Sequence, residues 1–171
     1  TDFLTDKACK WVDNRTENPF FLNLWYYSVH VPIQAKPEVV QKYKEKAEAL
    51  GIDEGAEGIV VDPSPFDPEG KKMTRQRKEQ SYAEYAAMIE ILDENIGKVI
   101  SHLKENGLWD NTITIFTSDN GGLATGIGKT GGPTCNLPLK TGKGWMYEGG
   151  TRVSTIVRWP GVTEPGSRCD V

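Results

Sequence analysis

Phe3, Leu4, Ala8, Trp11 and Val12 recur at helical spacing with charged residues between them, which predicts a surface helix at the start of the chain. The next apolar stretch has a different rhythm. Pro19-Phe20-Phe21-Leu22-Asn23-Leu24-Trp25-Tyr26-Tyr27 is short and nearly continuous, the pattern of a strand buried on both faces. Pro37 to Leu50 reads as a short charged helix, with proline in its first turn and Gly51 at its end. From Gly51 to Lys78 the chain is polar, with Pro63, Pro65 and Pro68 close together, and reads as a long loop. Tyr82, Tyr85, Ile89, Leu92, Ile96, Val99 and Leu103 then advance by alternating three- and four-residue steps, predicting a long helix with one apolar stripe. Glu94 and Lys98 lie on its outer side and Gly107 suits its C-terminal cap. Thr112 to Thr117 is a β-branched strand that Ser118-Asp119-Asn120-Gly121-Gly122 breaks abruptly. Leu123 to Gly150 is glycine-rich without periodicity, and Val153 to Trp159 is a further strand closed by Pro160-Gly161.

Strand, helix, strand with a crossover of this length predicts an α/β fold with parallel pairing. The 171 residues suffice for one domain or part of a larger one. Mean hydropathy of −0.49 fits a water-soluble globular chain, and no apolar run reaches the ~20 residues of a membrane-spanning helix. Eighteen glycines and ten prolines fall in clusters rather than in a repeat, which excludes collagen and coiled coil. A net charge of −4 without a basic face argues against a nucleic-acid partner. Cys9, Cys135 and Cys169 are too few and too scattered for a disulfide framework or a zinc site.

Several residues sit where chemistry is expected. Asp119 and Asn120 end a buried strand, the place where open α/β sheets bind ligands, and their oxygens are hard donors suited to Ca²⁺ or Mg²⁺. Two donors do not complete a calcium shell, and Asp-Asn-Gly-Gly is equally the composition of a turn. Lys143 stands between Gly142 and Gly144, which would let the backbone approach an anion closely, or is a solvated loop lysine. His30 follows the aromatic strand and is placed for proton transfer or oxyanion contact, while His102 reads as a surface residue of the long helix. Gly128-Lys129-Thr130 imitates the end of a phosphate loop, but the pattern needs a glycine where Leu123 stands. There is no G-x-S-x-G elbow, and Cys135 has no visible activating partner. Asn14-Arg15-Thr16 is a glycosylation sequon, meaningful only in a eukaryotic secretory protein.

Taken in order, these blocks resemble the sulfatase family. Phe20-Phe21-Leu22 through Ser28-Val29-His30-Val31-Pro32 resembles its histidine-bearing strand, and Ala87-Met88-Ile89-Glu90 to Asn95-Ile96-Gly97 its central helix. Phe116-Thr117-Ser118-Asp119-Asn120-Gly121-Gly122 resembles its metal strand. Leu139 to Gly144 with Tyr147-Glu148-Gly149-Gly150-Thr151-Arg152-Val153 resembles its lysine loop and signature. The resemblance implies an alkaline-phosphatase-like α/β fold with a mixed, mostly parallel sheet flanked by helices. It makes residues 1–171 the central to C-terminal part of a catalytic domain truncated at both ends. It implies that Asp119 and Asn120 ligate Ca²⁺, with Mg²⁺ as the alternative ion. Lys143 would contact the sulfate and His30 would hydrogen-bond it or protonate the leaving group. The substrate would be a sulfated small molecule or a sulfated carbohydrate, and the compartment periplasmic or extracellular.

The family's nucleophile is a formylglycine made from a C/S-x-P-x-R motif. That motif is absent from these residues, as is the aspartate pair that completes the metal site. The chain alone is therefore expected to be inactive and to self-associate through exposed sheet surface. Two other readings stand beside this one: a phosphoesterase or phosphonate hydrolase of the same superfamily, and a non-catalytic calcium-dependent carbohydrate-binding module.

Overall fold

The computed structural model describes residues 1–64, 67, 69–126 and 128–169. Pro65 and Pro68, and the terminal Asp170 and Val171, lie outside them. The chain divides into two compact units: Thr1–His30 with Ile89–Thr117 and Thr155–Val171, and Val31–Met88 with Ser118–Ser154.

In the first unit, helix α1 (Asp2–Asp13) buries Thr5, Ala8 and Val12, one side of the predicted helix. Burying Val12 contributes about 1.5–3 kcal/mol. Helix α3 (Ala83–Glu105) supplies the packing partner and runs in the same sense. Asn95 Nδ2 donates to Asp2 Oδ1 at 2.7 Å near one end, and His102 Nε2 lies 2.8 Å from Asp13 Oδ1 near the other. His102, half-buried at the surface of α3, thus makes an interhelical contact. The face of α3 also differs from the expected stripe. Within this unit Ile91, Asn95 and Leu103 are buried, whereas Ile89 is exposed. Asn95 enters the buried face because Asp2 and the Ile91 carbonyl satisfy its amide. Gly107, at φ +67°, caps α3 as expected, with Leu108 N–H returning to the Leu103 carbonyl.

The aromatic segment 19–27 is extended but forms no ladder among the described residues. It runs antiparallel to α1, held by an edge-on Trp11–Phe20 contact, by Tyr26 to Thr5 at 2.8 Å and by Ser28 to Thr1 at 2.6 Å. Leu22, Leu24 and Tyr26 are half-buried, while Phe21, Trp25 and Tyr27 on the alternate side are 87%, 81% and 74% exposed. Strand β3 (Thr114–Phe116) pairs antiparallel with β5 (Ile156–Arg158), Ile115 opposite Val157. Arg158 fixes this pair by donating to the Trp109 carbonyl at 2.6 Å and lying 4.0 Å over the Trp109 ring.

In the second unit, helix α2 (Pro37–Leu50) has its proline in the first turn and a left-handed Gly51 cap at φ +68°. The stretch 51–78 is not a plain loop. It folds into β1 (Ile59–Pro63) and β2 (Met73–Gln76), and β2 also pairs with β4 (Thr125–Gly126) to give the order β1-β2-β4. All ladders among the described residues are antiparallel. The expected parallel pairing is therefore not formed here, because the 19–27 segment rests on a helix instead of on β3. The short helix α4 (Glu148–Thr151) completes this unit.

Candidate active site

Asp119 and Asn120 follow β3 in a turn closed by Ser118 Oγ, which donates to the Asn120 carbonyl at 2.9 Å. Asp119 is exposed and Asn120 half-buried. Asn120 Nδ2 donates to the Gly121 carbonyl at 3.1 Å, so its amide nitrogen is engaged and its carbonyl oxygen is the atom suited to a cation.

Beyond this turn the backbone folds onto itself with little regular structure besides β4 and α4. Lys143 N–H donates to the Gly122 carbonyl at 3.0 Å, Gly121 N–H to the Gly150 carbonyl at 2.9 Å, and Gly149 N–H to the Lys140 carbonyl at 3.0 Å. Lys143 is thereby tied two residues past Asn120. The glycines make this possible. A Cβ on Gly121 would stand 1.8 Å from the Gly149 oxygen, one on Gly142 2.2 Å from the Gly122 oxygen, and one on Gly149 2.2 Å from the Thr141 oxygen. Gly142 beside Lys143 thus admits another stretch of backbone rather than an anion, correcting the sequence reading. Gly144, at φ +87°, turns the chain after the lysine.

The polar groups of this frame are matched by side chains that the sequence reading passed over. Asn136 Nδ2 reaches the carbonyls of Gly122, Thr141 and Gly149 at 2.9, 3.0 and 3.0 Å. Gln76, 1% exposed, accepts from Thr141 N–H at 3.0 Å. Gln80 Oε1 accepts from Cys135 N–H and Thr134 Oγ1, at 3.1 and 3.0 Å. The available signal was chemical: a glycine-rich stretch without periodicity must satisfy its buried backbone through Asn or Gln, which carry both donor and acceptor. Cys135 is a buried free thiol held in this network.

Lys140, one turn before Lys143, pairs with Asp62 Oδ2 at 2.8 Å and lies 3.9 Å from the Tyr147 ring. The Asp62 carboxylate, followed by Tyr147, holds its ammonium above the ordinary lysine value. Trp145 stacks on Tyr147 at 6.1 Å and donates from Nε1 to Thr125 Oγ1 at 3.0 Å. The half-buried Lys143 is thus flanked by a fixed aromatic pair and a second, committed lysine.

His30 belongs to the first unit, where it ends the extended aromatic segment. Its N–H donates to the Tyr27 carbonyl at 3.0 Å, and its exposed ring meets Tyr27 edge-on at 5.5 Å. The structure therefore ties Lys143 to Gly122, two residues past Asn120, leaves Asp119 exposed in the same turn, and holds His30 in the other unit.

Among the described residues no group of three or more His, Cys, Asp or Glu side chains is placed to hold a metal ion. Asp119 and Asn120 offer two hard oxygen donors, which fits a share of a calcium or magnesium shell and not the whole of one. Among the same residues no helix is long and apolar enough to cross a membrane.

The fold is that of alkaline-phosphatase-like α/β hydrolases, and solved structures of this class superpose on it. That of Ps i-CgsB in complex with k-i-k-neocarrahexaose is 33% identical with a TM-score of 0.64, covering 94% of this chain and 28% of that one. A "Sulfatase" of Formosa agariphila is 33% identical over 98% of this chain and 26% of its own length. The N-acetylgalactosamine-6-O-sulfatase of Bacteroides thetaiotaomicron is 30% identical over 98% of this chain and 27% of its own. A family model described as Sulfatase matches residues 1–169, and the chain belongs to the sulfatase family, whose members hydrolyse sulfate esters. It spans about a quarter of the length of these relatives.

Proposed function

We propose that this chain supplies part of the active site of a sulfatase that removes sulfate from a sulfated carbohydrate. The observation that carries the reading is the bond from Lys143 N–H to the Gly122 carbonyl, which holds the lysine beside the Asp119-Asn120 turn. Ester cleavage transfers negative charge onto the sulfate oxygens and the departing alkoxide. An ammonium on a fixed backbone stabilises that charge without reorganising in the transition state. Lys143 takes this role and His30 delivers a proton to the leaving oxygen. Asp119 and Asn120 hold part of a divalent cation, calcium by family resemblance, which would add electrostatic stabilisation at the same oxygens. The nucleophile, a formylglycine by the same resemblance, is contributed from outside these residues.

The carbohydrate class is supported by the solved relative whose bound ligand is k-i-k-neocarrahexaose and by the relative named for N-acetylgalactosamine-6-O-sulfate chemistry. The test is made in a full-length sulfatase containing this chain, assayed on carrageenan oligosaccharides and on an aryl sulfate. Lys143→Ala is expected to lower kcat/KM by roughly 10²–10³-fold. Asp119→Ala is expected to raise the calcium concentration needed for half activity. Full activity in both variants would refute the assignment.

A further inference from the structure

We infer that Asn136 is a positioning residue for the sulfatase reaction, which sets where Lys143 stands relative to the Asp119-Asn120 turn. The inference rests on the reading of Lys143 given above and adds a residue that does not itself touch substrate.

Three segments meet at the Asn136 amide. The Gly122 carbonyl belongs to the turn that follows Asp119 and Asn120. The Thr141 carbonyl lies two residues before Lys143, and the Gly149 carbonyl opens the segment that returns to Gly121. One NH₂ group with two hydrogens serves three acceptors at 2.9–3.0 Å, so at least one hydrogen is shared between carbonyls. The Gly122 oxygen accepts from both Asn136 Nδ2 and Lys143 N–H. Asn136 and Lys143 are therefore joined through a single atom of the metal-strand turn.

The surroundings leave little freedom. A Cβ on Gly142 would stand 2.9 Å from Asn136 Nδ2, and one on Gly122 would stand 2.9 Å from Asn136 Oδ1. Thr141 keeps a left-handed backbone at φ +62°, uncommon for a β-branched residue, and it is fully buried. Asn136 on its carbonyl and Gln76 on its N–H hold it there. Two residues on, Lys143 inherits its direction from that constrained peptide. No regular ladder fixes 139–144, so the Asn136 amide replaces what a strand neighbour would do elsewhere.

The consequence is specific. Replacing Nδ2 by an oxygen keeps the side-chain shape but turns three attractive contacts into three repulsions. The lysine loop then shifts relative to Asp119, and a displacement near 1 Å at a catalytic group costs on the order of 10²-fold in rate. Asn136 is assigned no contact with substrate, so KM should change little.

The test compares Asn136→Asp, Asn136→Ser and Lys143→Ala with the parent in a full-length sulfatase containing this chain, on an aryl sulfate. Asn136→Asp is expected to lower kcat about 30- to 100-fold with KM within about twofold. Its activity relative to the parent should rise as pH falls, because a protonated carboxyl regains one O–H donor toward the carbonyls. Asn136→Ser, a smaller residue with one donor, should lose less kcat and show no such rise; it also carries the test if Asn136→Asp does not fold. A kcat within twofold of the parent in folded Asn136→Asp or Asn136→Ser overturns the inference if Lys143→Ala is impaired. A Lys143→Ala enzyme with full activity overturns both the inference and the reading beneath it.

Discussion

In the unit that carries Asp119 and Lys143, the described residues of 119–151 contain only a two-residue strand and a four-residue helix. Yet many of their backbone groups are matched by one another and by the amides of Asn136, Gln76 and Gln80. In the other unit, residues 19–27 are extended and rich in aromatics, but no ladder joins them among the described residues. Phe21, Trp25 and Tyr27 stand in solvent there. The irregular region is held by many polar contacts among its described residues, and the region with the strongest strand pattern leaves large apolar side chains exposed. The difference follows from range. The loop frame is closed by partners drawn from Gln76 to Gly150, whereas a strand buried on two faces needs neighbours that sequence proximity does not supply.

The largest expected effect breaks the frame sterically. Gly121→Ala or Gly149→Ala should destabilise the second unit by about 3 kcal/mol, read as a fall in melting temperature, since each new methyl meets a carbonyl oxygen. Gly161→Ala in the first unit, with φ +74° but open space around it, should cost only about 1 kcal/mol. Equal losses would mean that backbone conformation, and not close approach, explains the glycines.

The second expectation concerns the aromatic segment. Replacing Phe21, Trp25 and Tyr27 together by serine should reduce self-association of the isolated chain, followed by sedimentation, and its binding of an apolar dye. Because these side chains bury little, thermal stability should change by no more than about 0.5 kcal/mol per site. A large loss of stability would show that the segment is covered in the isolated chain.

The three long helices were legible because local periodicity and caps determine them. Pro37, Gly51 and Gly107 mark ends that the backbone adopts. The order of the motif blocks likewise pointed to Asp119, Asn120 and Lys143, and the Lys143 N–H bonds to Gly122 two residues past Asn120. Three things were not legible. The β1–β2 hairpin hides in a polar stretch, since Ile59, Val60 and Val61 are too brief a run to outweigh the surrounding prolines. The buried side of α3 is decided by Asn95 meeting Asp2, a contact across 93 residues that apolar periodicity ignores. Asn136 had no signal of its own in the sequence, because its three acceptors are backbone carbonyls.

Two titrations sharpen the contrast by smaller amounts. Lys140 is held above its ordinary 10.5 chiefly by its hydrogen bond to Asp62. A raised folded-state value means that its contribution is fully present below pH 10.5 and is lost as pH climbs through the folded value. Lys140→Met should therefore remove part of the alkaline sensitivity of thermal unfolding, and an unchanged alkaline limb would count against the pair. Asp67 is held below its ordinary 3.8 first by the N–H of Lys72, with Glu69 and Lys71 adding theirs. Its contribution is present above pH 3.8 and disappears as pH falls through the lower folded value. Asp67→Asn should slightly flatten the acid limb of the same profile, the smallest effect of the series.

Amide hydrogen exchange residue by residue in the isolated chain tests most directly whether the Lys143 loop and the Asp119-Asn120 turn form one frame. The N–H groups of Gly121, Lys143 and Gly149 should exchange together, and roughly a hundredfold slower than those of Leu22 to Tyr26. A Lys143 amide that exchanges as fast as Trp25, or independently of Gly121 and Gly149, would contradict the account.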